Sequence, residues 1–349
     1  MRAAPAVLAN ETSRAGSCSL ARGRCQLGRS FIISVLDSSR HTRYSNSGSR
    51  TCVEQGKTLK ALSTEQVANY RRDGFLFPLP ALTPAEAASA LGDLERIESR
   101  LGAPLPKAEM KWRGGAYVYS PAVDALVRHP RILDIVEDVI GPDILVFWAT
   151  YFIKDAGSPA FTAWHQDATY FGVQPLEHVT AWIALSDASR EAGCMDVLSS
   201  RGAPRQYHHA AARLPHSING AGQVIVEPVD DRGAVAMELK AGEVSLHHTM
   251  CLHRSAPNRA AHRRVGLGIS YIPAHARTTF AARLSALLVR GVDTYGYFDH
   301  LSPPAGELTP EGIAAHADTY KRFRENYYEQ EKRHDAEFAH RGAAAAQRA

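Results

Sequence analysis

Beyond Gly141-Pro142 the chain becomes a series of short apolar runs rich in β-branched and aromatic residues, and this pattern restricts the fold more than any other. Four runs cover residues 144–153, 179–185, 242–248 and 265–272. Glycine, proline, aspartate or asparagine bounds each of them, as is typical of short strands that end in turns. The pattern predicts a β-barrel or jelly roll at the centre of the fold.

Helical patterns flank these strands on both sides. Ser63 and the pair Thr83-Pro84 are typical of helix N-termini, because a hydroxyl caps free backbone N–H groups and proline is tolerated at the first helical position. A third helix is predicted over residues 121–140, and a charged, tyrosine-rich one over about 310–340. Helices followed by strands favour an α+β fold, here a jelly-roll core with flanking N- and C-terminal helices.

We expect three segments: an N-terminal extension over residues 1–60, one folded domain over residues 61–310, and a C-terminal helix and tail over residues 311–349. The extension holds ten Lys or Arg and three acidic residues, so the rest of the chain is slightly acidic although the net charge is +4. A nucleic-acid-binding protein would carry its basic residues as a patch on the folded domain, so that class is excluded. The Arg- and Ser-rich extension is reminiscent of an organelle transit peptide, but a disordered extension is the interpretation we favour.

Membrane association and an oxidising compartment are also not expected. No apolar run approaches the ~18 residues needed to span a bilayer. The five cysteines include no CxxC pair, which suits a reducing compartment, so we expect a cytoplasmic protein. The oligomeric state stays open.

A histidine and an aspartate two positions apart, His165 and Asp167, give the first chemical signal. On a strand, residues i and i+2 project from the same face, so both side chains can reach one metal ion. A second pair of this kind, His316 and Asp318, lies in the predicted C-terminal helix, where two positions correspond to ~200° around the axis. Those side chains diverge, so we interpret the second pair as solvated and without a role.

A second signal lies downstream, where His253 is followed eleven residues later by Arg264. The intervening residues 255–258 are turn-forming, so we expect the two to lie on neighbouring antiparallel strands. Two histidines and one carboxylate leave the opposite positions of an iron ion open for a bidentate cosubstrate and dioxygen. The planar fork of an arginine suits the remote carboxylate of that cosubstrate, and Arg263 is the competing candidate.

Several stretches together resemble the phytanoyl-CoA dioxygenase family of non-haem iron oxygenases. They occur in the same order as in that family and span roughly residues 62–300. The matching stretches are residues 164–167, 179–185, 191–195, 241–244 and 253–258, followed by Arg263-Arg264.

The resemblance implies a double-stranded β-helix (jelly-roll, cupin-like) core with Fe(II) bound by His165, Asp167 and His253. It implies that 2-oxoglutarate chelates the iron and pairs with Arg264, helped by Ser255 and Trp182, and that O2 is the oxidant. Family members that halogenate replace the metal-binding carboxylate by a small residue. Because Asp167 is present, we expect hydroxylation or oxidative demethylation of a small molecule, with release of succinate and CO2.

Two other functions remain open from the sequence. One is a catalytically silent, cupin-like metal-binding protein, and the other is a metal-dependent oxygenase that does not use 2-oxoglutarate. Arg264 discriminates against both, because neither would need an arginine for the cosubstrate. At single positions, His253 as a packed core histidine and Trp182 as a barrel-filling aromatic are the plain alternatives.

Overall fold

The computed structural model describes residues 58–212, 214–219 and 223–346. The expected extension over residues 1–60 therefore lies outside the described residues, apart from its last three. In the described part the helices are α1 (Thr64–Asp73), α2 (Pro84–Leu101), α3 (Pro121–Val127), α4 (Pro130–Ile140), α5 (Ala168–Phe171) and α6 (Pro310–Ala346), with 3₁₀ turns at Met110–Arg113 and Ala116–Val118. The strands are β1 (Phe75–Pro80), β2 (Ile144–Lys154), β3 (Thr162–His165), β4 (Val173–Gln174), β5 (Val179–Ala184), β6 (Met195–Leu198), β7 (His209–Ala211), β8 (Gln223–Ile225), β9 (Val235–Met237), β10 (Glu243–His248), β11 (Leu252–Ser255), β12 (Arg264–Pro273), β13 (Arg277–Thr278), β14 (Ser285–Arg290) and β15 (Asp299–His300).

The first two helices begin where the capping residues predict. The Ser63 hydroxyl accepts from the backbone N–H of Gln66 at 3.1 Å, and the Gln66 side chain accepts from the backbone N–H of Ser63 at 2.8 Å. Thr83 and Glu86 make the same reciprocal pair at the start of α2. Each pair satisfies backbone donors that have no partner within the helix, which stabilises that helix end.

The single helix predicted over residues 121–140 is wrong. The structure has α3 and α4 there, separated at Arg128 and His129. The cause is Pro130, which has no N–H for a continuing helix and disfavours the helical conformation of the residue before it. His129 accordingly has φ −57° and ψ 124°.

The larger sheet has the strand order β1-β10-β5-β12-β2-β14-β15, and its two faces differ in chemistry. Along β12 the buried aliphatic and aromatic side chains pack on the core formed with α2 and α4; they are Val265, Leu267, Ile269 and Tyr271. The alternate residues of β12 are small or polar, and they are Arg264, Gly266, Gly268 and Ser270. Since successive side chains of a strand point to opposite faces, this alternation leaves one face of the sheet for a site.

The smaller sheet has the order β3-β11-β6-β9, and a cavity between the two sheets is lined by residues from both. The prediction that His253 and Arg264 lie on neighbouring strands is wrong, because β11 belongs to the smaller sheet and β12 to the larger one. The connection between them crosses from sheet to sheet instead of forming a hairpin. Asn258 holds this crossing, donating from its side-chain amide to the carbonyl oxygens of Lys154 and His262 at 3.1 and 2.9 Å. The two side chains therefore face each other across the cavity.

The C-terminal helix α6 packs against the body of the domain. Phe323 stacks on Trp148 of β2 with ring centroids 4.1 Å apart, and Tyr327 stacks on Tyr170 of α5 at 4.7 Å. Within the described residues, no helix is both long and apolar enough to cross a membrane.

The second histidine–aspartate pair diverges as predicted, but it is not uniformly solvated. Asp318 is exposed and pairs with Arg322 at 2.7 Å, one turn along the helix. His316 is buried, its Nε2 donates to Gly114 O at 2.8 Å, and its ring stacks on Trp112. The pair cannot share a ligand, and its histidine has a packing role that the sequence did not reveal.

Candidate metal and cosubstrate site

His165 and His253 lie side by side on neighbouring strands of the smaller sheet. His165 is the last residue of β3, and its Cα is paired in register with that of His253 on β11. Asp167 is not on the strand as predicted; it lies just after it, at the start of α5, with φ −67° and ψ −33°. The carboxylate therefore reaches the two imidazoles because the chain turns at Gln166. It does not reach them through the alternation of side chains along a strand.

The three side chains converge on one point. Asp167 Oδ1 lies 4.0 Å from His165 Nε2 and 3.9 Å from His253 Nε2, and one ligand atom from each lies within 4.8 Å of the others. Within the part of the chain that the structure describes, no other group of three or more such side chains meets this condition. A set of two imidazoles and one carboxylate on one side of a point fits the facial arrangement of a non-haem iron site.

Backbone carbonyls orient both imidazoles. His165 Nδ1 lies 2.8 Å from Ala163 O, and His253 Nδ1 lies 3.0 Å from Cys251 O. A carbonyl oxygen can only accept, so Nδ1 carries the proton in each ring and the Nε2 lone pair is directed at the other ligands. Such a hydrogen bond to the remote nitrogen is the usual support of a metal-binding histidine.

The charges also suit a cation. Burial lowers the pKa of His165 and brings that of His253 well below its ordinary value, so both rings are neutral near pH 7. For Asp167 burial alone would raise the pKa, but His247, His253 and His165 outweigh it and hold the pKa below its ordinary value. One carboxylate and two neutral imidazoles are the protonation states in which these groups bind a metal ion.

Thr180 and His247 face the other carboxylate oxygen of Asp167. The Thr180 hydroxyl donates to Oδ2 at 3.3 Å, and His247 Nε2 lies 3.6 Å from the same atom. His247 is buried on β10 and lines the cavity. Oδ1 is thereby left for a metal ion.

Arg264 lies in the same cavity, which measures about 580 Å³ counted to the open solvent. The side chain is 1% exposed, and its Nη1 donates to Gly193 O at 3.2 Å. Its Nε has no hydrogen-bond partner among the described residues. Burial lowers the pKa of Arg264 to about 10, so the guanidinium stays charged at neutral pH. A buried cation with a free donor fits a ligand carboxylate.

Arg263, the competing candidate, points elsewhere. It pairs with Glu98 at 2.5 Å and with Asp155 at 3.2 Å, away from the cavity. Of the two arginines, Arg264 is the one that lines the cavity.

Ser255 and Trp182 both line the cavity. The Arg264 guanidinium carbon lies 5.4 Å from the centre of the Trp182 ring. The Ser255 hydroxyl accepts from Lys154 Nζ at 2.8 Å and lies 2.9 Å from the Thr162 hydroxyl. Its oxygen is therefore already held by protein groups.

Lys154 is a residue of this site that sequence reasoning missed. It is fully buried, pairs in register with Arg264, and its Nζ also donates to Gly193 O at 3.3 Å and to Ala256 O. Burial lowers its pKa to about 6, with a further contribution from Arg264. The alternation of β2 could have revealed it, because Lys154 lies on the same face as Phe152, which lines the cavity.

The contact between Trp182 and β12 leads to a testable prediction. A Cβ added at Gly266 would meet the Trp182 ring at 1.9 Å. We expect Gly266→Ala to displace the ring, lower the free energy of unfolding by about 1–3 kcal/mol and weaken binding at Arg264. Chemical denaturation and cosubstrate titration check this, with Gly233→Ala as the control because its Cβ would meet nothing within 4 Å. Equal stability of the two variants would contradict the packing described.

A second chamber adjoins the cavity, and α6 forms part of its wall. Tyr170, Phe171 and Arg113 line it. Gln166 does not, since its amide donates to Arg205 O and Met250 O. Lys111 pairs instead with the nearby Glu109. Sequence reasoning missed the lining residues on α6, because the pattern of a surface helix does not show which part of the fold the helix packs on. These residues are Tyr320, Phe323, Arg324 and Tyr327.

Comparison with known proteins adds to this geometry. Residues 70–266 match the model of the phytanoyl-CoA dioxygenase family, described as Phytanoyl-CoA dioxygenase (PhyH). The chain is similar to a probable alpha-ketoglutarate-dependent hypophosphite dioxygenase of Stutzerimonas stutzeri, with 29% identity over 46% of this chain and 56% of the relative. It is also similar to an ectoine dioxygenase of Bordetella parapertussis, with 24% identity over 62% of this chain and 77% of the relative.

Solved structures agree with the fold. The non-heme monooxygenase ThoJ in its apo form superposes with a TM-score of 0.67 and 31% identity, covering 77% of this chain and 99% of that one. CytC3 with Fe(II) and alpha-ketoglutarate superposes with a TM-score of 0.52 and 21% identity, covering 71% of this chain and 99% of the other; this likeness concerns the fold. The expected jelly-roll core with flanking helices is confirmed.

Proposed function

The chain belongs to the phytanoyl-CoA dioxygenase family of 2-oxoglutarate-dependent oxygenases, and from this premise we propose that it binds Fe(II) and 2-oxoglutarate and hydroxylates or oxidatively demethylates a small molecule. In this proposal His165, Asp167 and His253 hold the iron, and Arg264 binds the cosubstrate. The reaction consumes O2 and releases succinate and CO2.

One observation carries the proposal: a buried guanidinium with a free donor shares a cavity with the histidine and aspartate ligands. A buried charge without a counter-ion is costly, so the site stabilises a bound carboxylate. A dicarboxylate with a 2-oxo acid at one end has groups for both the iron and Arg264.

The residues of the site have separate tasks. Bound iron would supply the activation of dioxygen and the oxidative decarboxylation of the cosubstrate. The neutral imidazoles direct Nε2 at the metal position, and Thr180 holds Asp167 by the oxygen that faces away from it. Arg264, backed by the Trp182 ring, orients the remote carboxylate of 2-oxoglutarate. The aromatic lining excludes water, which suppresses side reactions.

Arg264 also separates this proposal from the alternatives. A silent metal-binding protein, or an oxygenase that does not use 2-oxoglutarate, has no use for a buried cation beside the metal position. Because Asp167 completes the ligand set, we propose hydroxylation or demethylation over halogenation.

The test uses the purified full chain. It would be loaded anaerobically with Fe(II) and titrated with 2-oxoglutarate, with binding measured by calorimetry, and then screened for succinate release with amines, amino acids, phosphonates and acyl-CoAs. We expect 2-oxoglutarate to bind only in the presence of a divalent metal or far more tightly with it. Iron binding without any affinity for 2-oxoglutarate would overturn the proposal in favour of the alternatives.

A further inference from the structure

We propose that the substrate carries an oxyanion, a carboxylate or phosphonate, that Arg113 and Arg324 recognise in the chamber beside the metal position. The rest of this substrate is an apolar group the size of a ring, which packs against the aromatic side chains between the two arginines and the metal position. This inference rests on the function proposed above. It narrows the substrate class from any small molecule to an apolar acid.

The chamber opens directly onto the metal-binding residues. Its volume is about 800 Å³ when the space open to solvent is included. Residues that line both the chamber and the metal cavity show that the two are continuous: Trp148, Thr150, Phe152, His165, Asp167 and Phe171. A molecule bound in the chamber therefore has one end beside the iron.

The charges of the chamber wall favour an anion. Among the described lining residues Asp167 is the only carboxylate, and in the proposed function it is a metal ligand. Arg113 donates to two backbone carbonyls, Leu105 O at 3.3 Å and Pro106 O at 2.9 Å, and burial lowers its pKa. Within the described residues no carboxylate lies within salt-bridge distance of it. Carbonyl acceptors hold a guanidinium in place but leave its charge uncompensated, so an anion is favoured there.

Arg324 places a second positive charge on the same wall. It lies on α6, donates to the Tyr328 hydroxyl at 2.6 Å, and its guanidinium carbon is 4.8 Å from the centre of the Tyr327 ring. Stacking against rings keeps the guanidinium plane in position. Of the acidic groups outside the chamber lining, Glu109 pairs with Lys111, and burial and Asp335 raise the pKa of Glu331 against a smaller opposite effect of Arg324.

The other lining residues of the chamber indicate which kind of group the rest of the substrate carries. Aromatic rings from β2, α5 and α6 surround the path to the metal, which favours a flat or ring-shaped apolar group. Gln223 is more than nine-tenths buried, lines the same chamber, and its Oε1 has no partner among the described residues. A substrate N–H or O–H would satisfy this acceptor, so a donor group on the ring is part of the inference.

The test compares acids with their neutral analogues. The full chain, loaded anaerobically with Fe(II) and 2-oxoglutarate, is titrated by calorimetry with benzoate, phenylacetate, 3-phenylpropionate and the corresponding phosphonates, each beside its carboxamide. We expect at least one acid to bind about tenfold more tightly than its amide, or tighter still. This ratio of affinities corresponds to the contribution of roughly one charge-assisted hydrogen bond. The carboxylate and phosphonate arms identify which oxyanion is preferred.

Variants then assign the preference to the two arginines. Arg324→Gln and Arg113→Gln should each reduce the acid-over-amide ratio about tenfold, while Arg113→Lys, which keeps the charge, should retain most of it. Lys321→Gln removes the same charge from an exposed position of α6 and should leave the ratio unchanged. The affinity for 2-oxoglutarate should stay the same in all four variants.

The outcomes distinguish this inference from the proposed function. If 2-oxoglutarate binds the wild-type chain but no acid in the panel is preferred to its amide, the inference is wrong and the proposed function stands. The inference also fails if the preference survives both glutamine variants. If 2-oxoglutarate does not bind the iron-loaded wild-type chain, the proposed function itself is wrong.

Discussion

Replacing Asp167 by alanine is expected to remove most of the bound iron and to abolish succinate-coupled oxidation. Asp167 is the only anion among the three converging side chains, and its Oδ1 lies 4.0 and 3.9 Å from the two imidazole nitrogens. Losing a residue that only hydrogen-bonds to a metal ligand weakens metal binding ~10–100-fold. Losing a charged ligand itself should weaken it more. Metal analysis after gel filtration and a succinate assay measure the two effects.

Asp318→Ala is the matched control for this change. Asp318 is exposed, belongs to the other histidine–aspartate pair and interacts with Arg322 on the surface, so iron content and turnover should stay near wild type. Chloride added to Asp167→Ala should not produce a chlorinated product, because an open ligand position alone does not place the substrate nearer to chloride than to hydroxyl. Iron loss in the Asp318 variant with retention in the Asp167 variant would refute the site assignment.

Arg264→Ala should weaken 2-oxoglutarate binding on the order of 100-fold, since charge-assisted hydrogen bonds contribute ~1.5–3 kcal/mol each. Arg264 lies in the cavity with a free Nε and a tryptophan ring behind it, and it is not among the metal-binding side chains. Iron content should therefore change little. Calorimetric titration of 2-oxoglutarate into the iron-loaded variant measures the effect.

The adjacent Arg263→Ala change supplies the comparison for Arg264. Arg263 pairs with Glu98 and Asp155 outside the cavity, so its loss should lower stability and leave cosubstrate affinity unchanged. A larger loss of 2-oxoglutarate affinity in the Arg263 variant would show that the cosubstrate does not bind where the cavity places its cation.

Local signals in the sequence were sufficient for the first two helices and for the two faces of β12. The capping residues Ser63 and Thr83 act over three positions, so their helices could be predicted without tertiary contacts. The alternation along β12 likewise separates Arg264 from Arg263, because a strand sends neighbours to opposite faces. Where a local signal was overlooked, as with Pro130, the predicted helix was wrong.

The sequence by itself was enough for the chemistry that we propose, since the types and order of His165, Asp167, His253 and Arg264 restrict which metal and cosubstrate the proposed site can use. Only the tertiary structure decided how these residues meet: β11 and β12 lie in opposing sheets, Asp167 reaches the imidazoles through a turn, and Lys154 is buried beside Arg264. The physical reason is that ligand identity is a property of single side chains. Distances across a cavity, and the wall that α6 adds to it, depend on contacts between residues far apart in the chain, which no local pattern encodes.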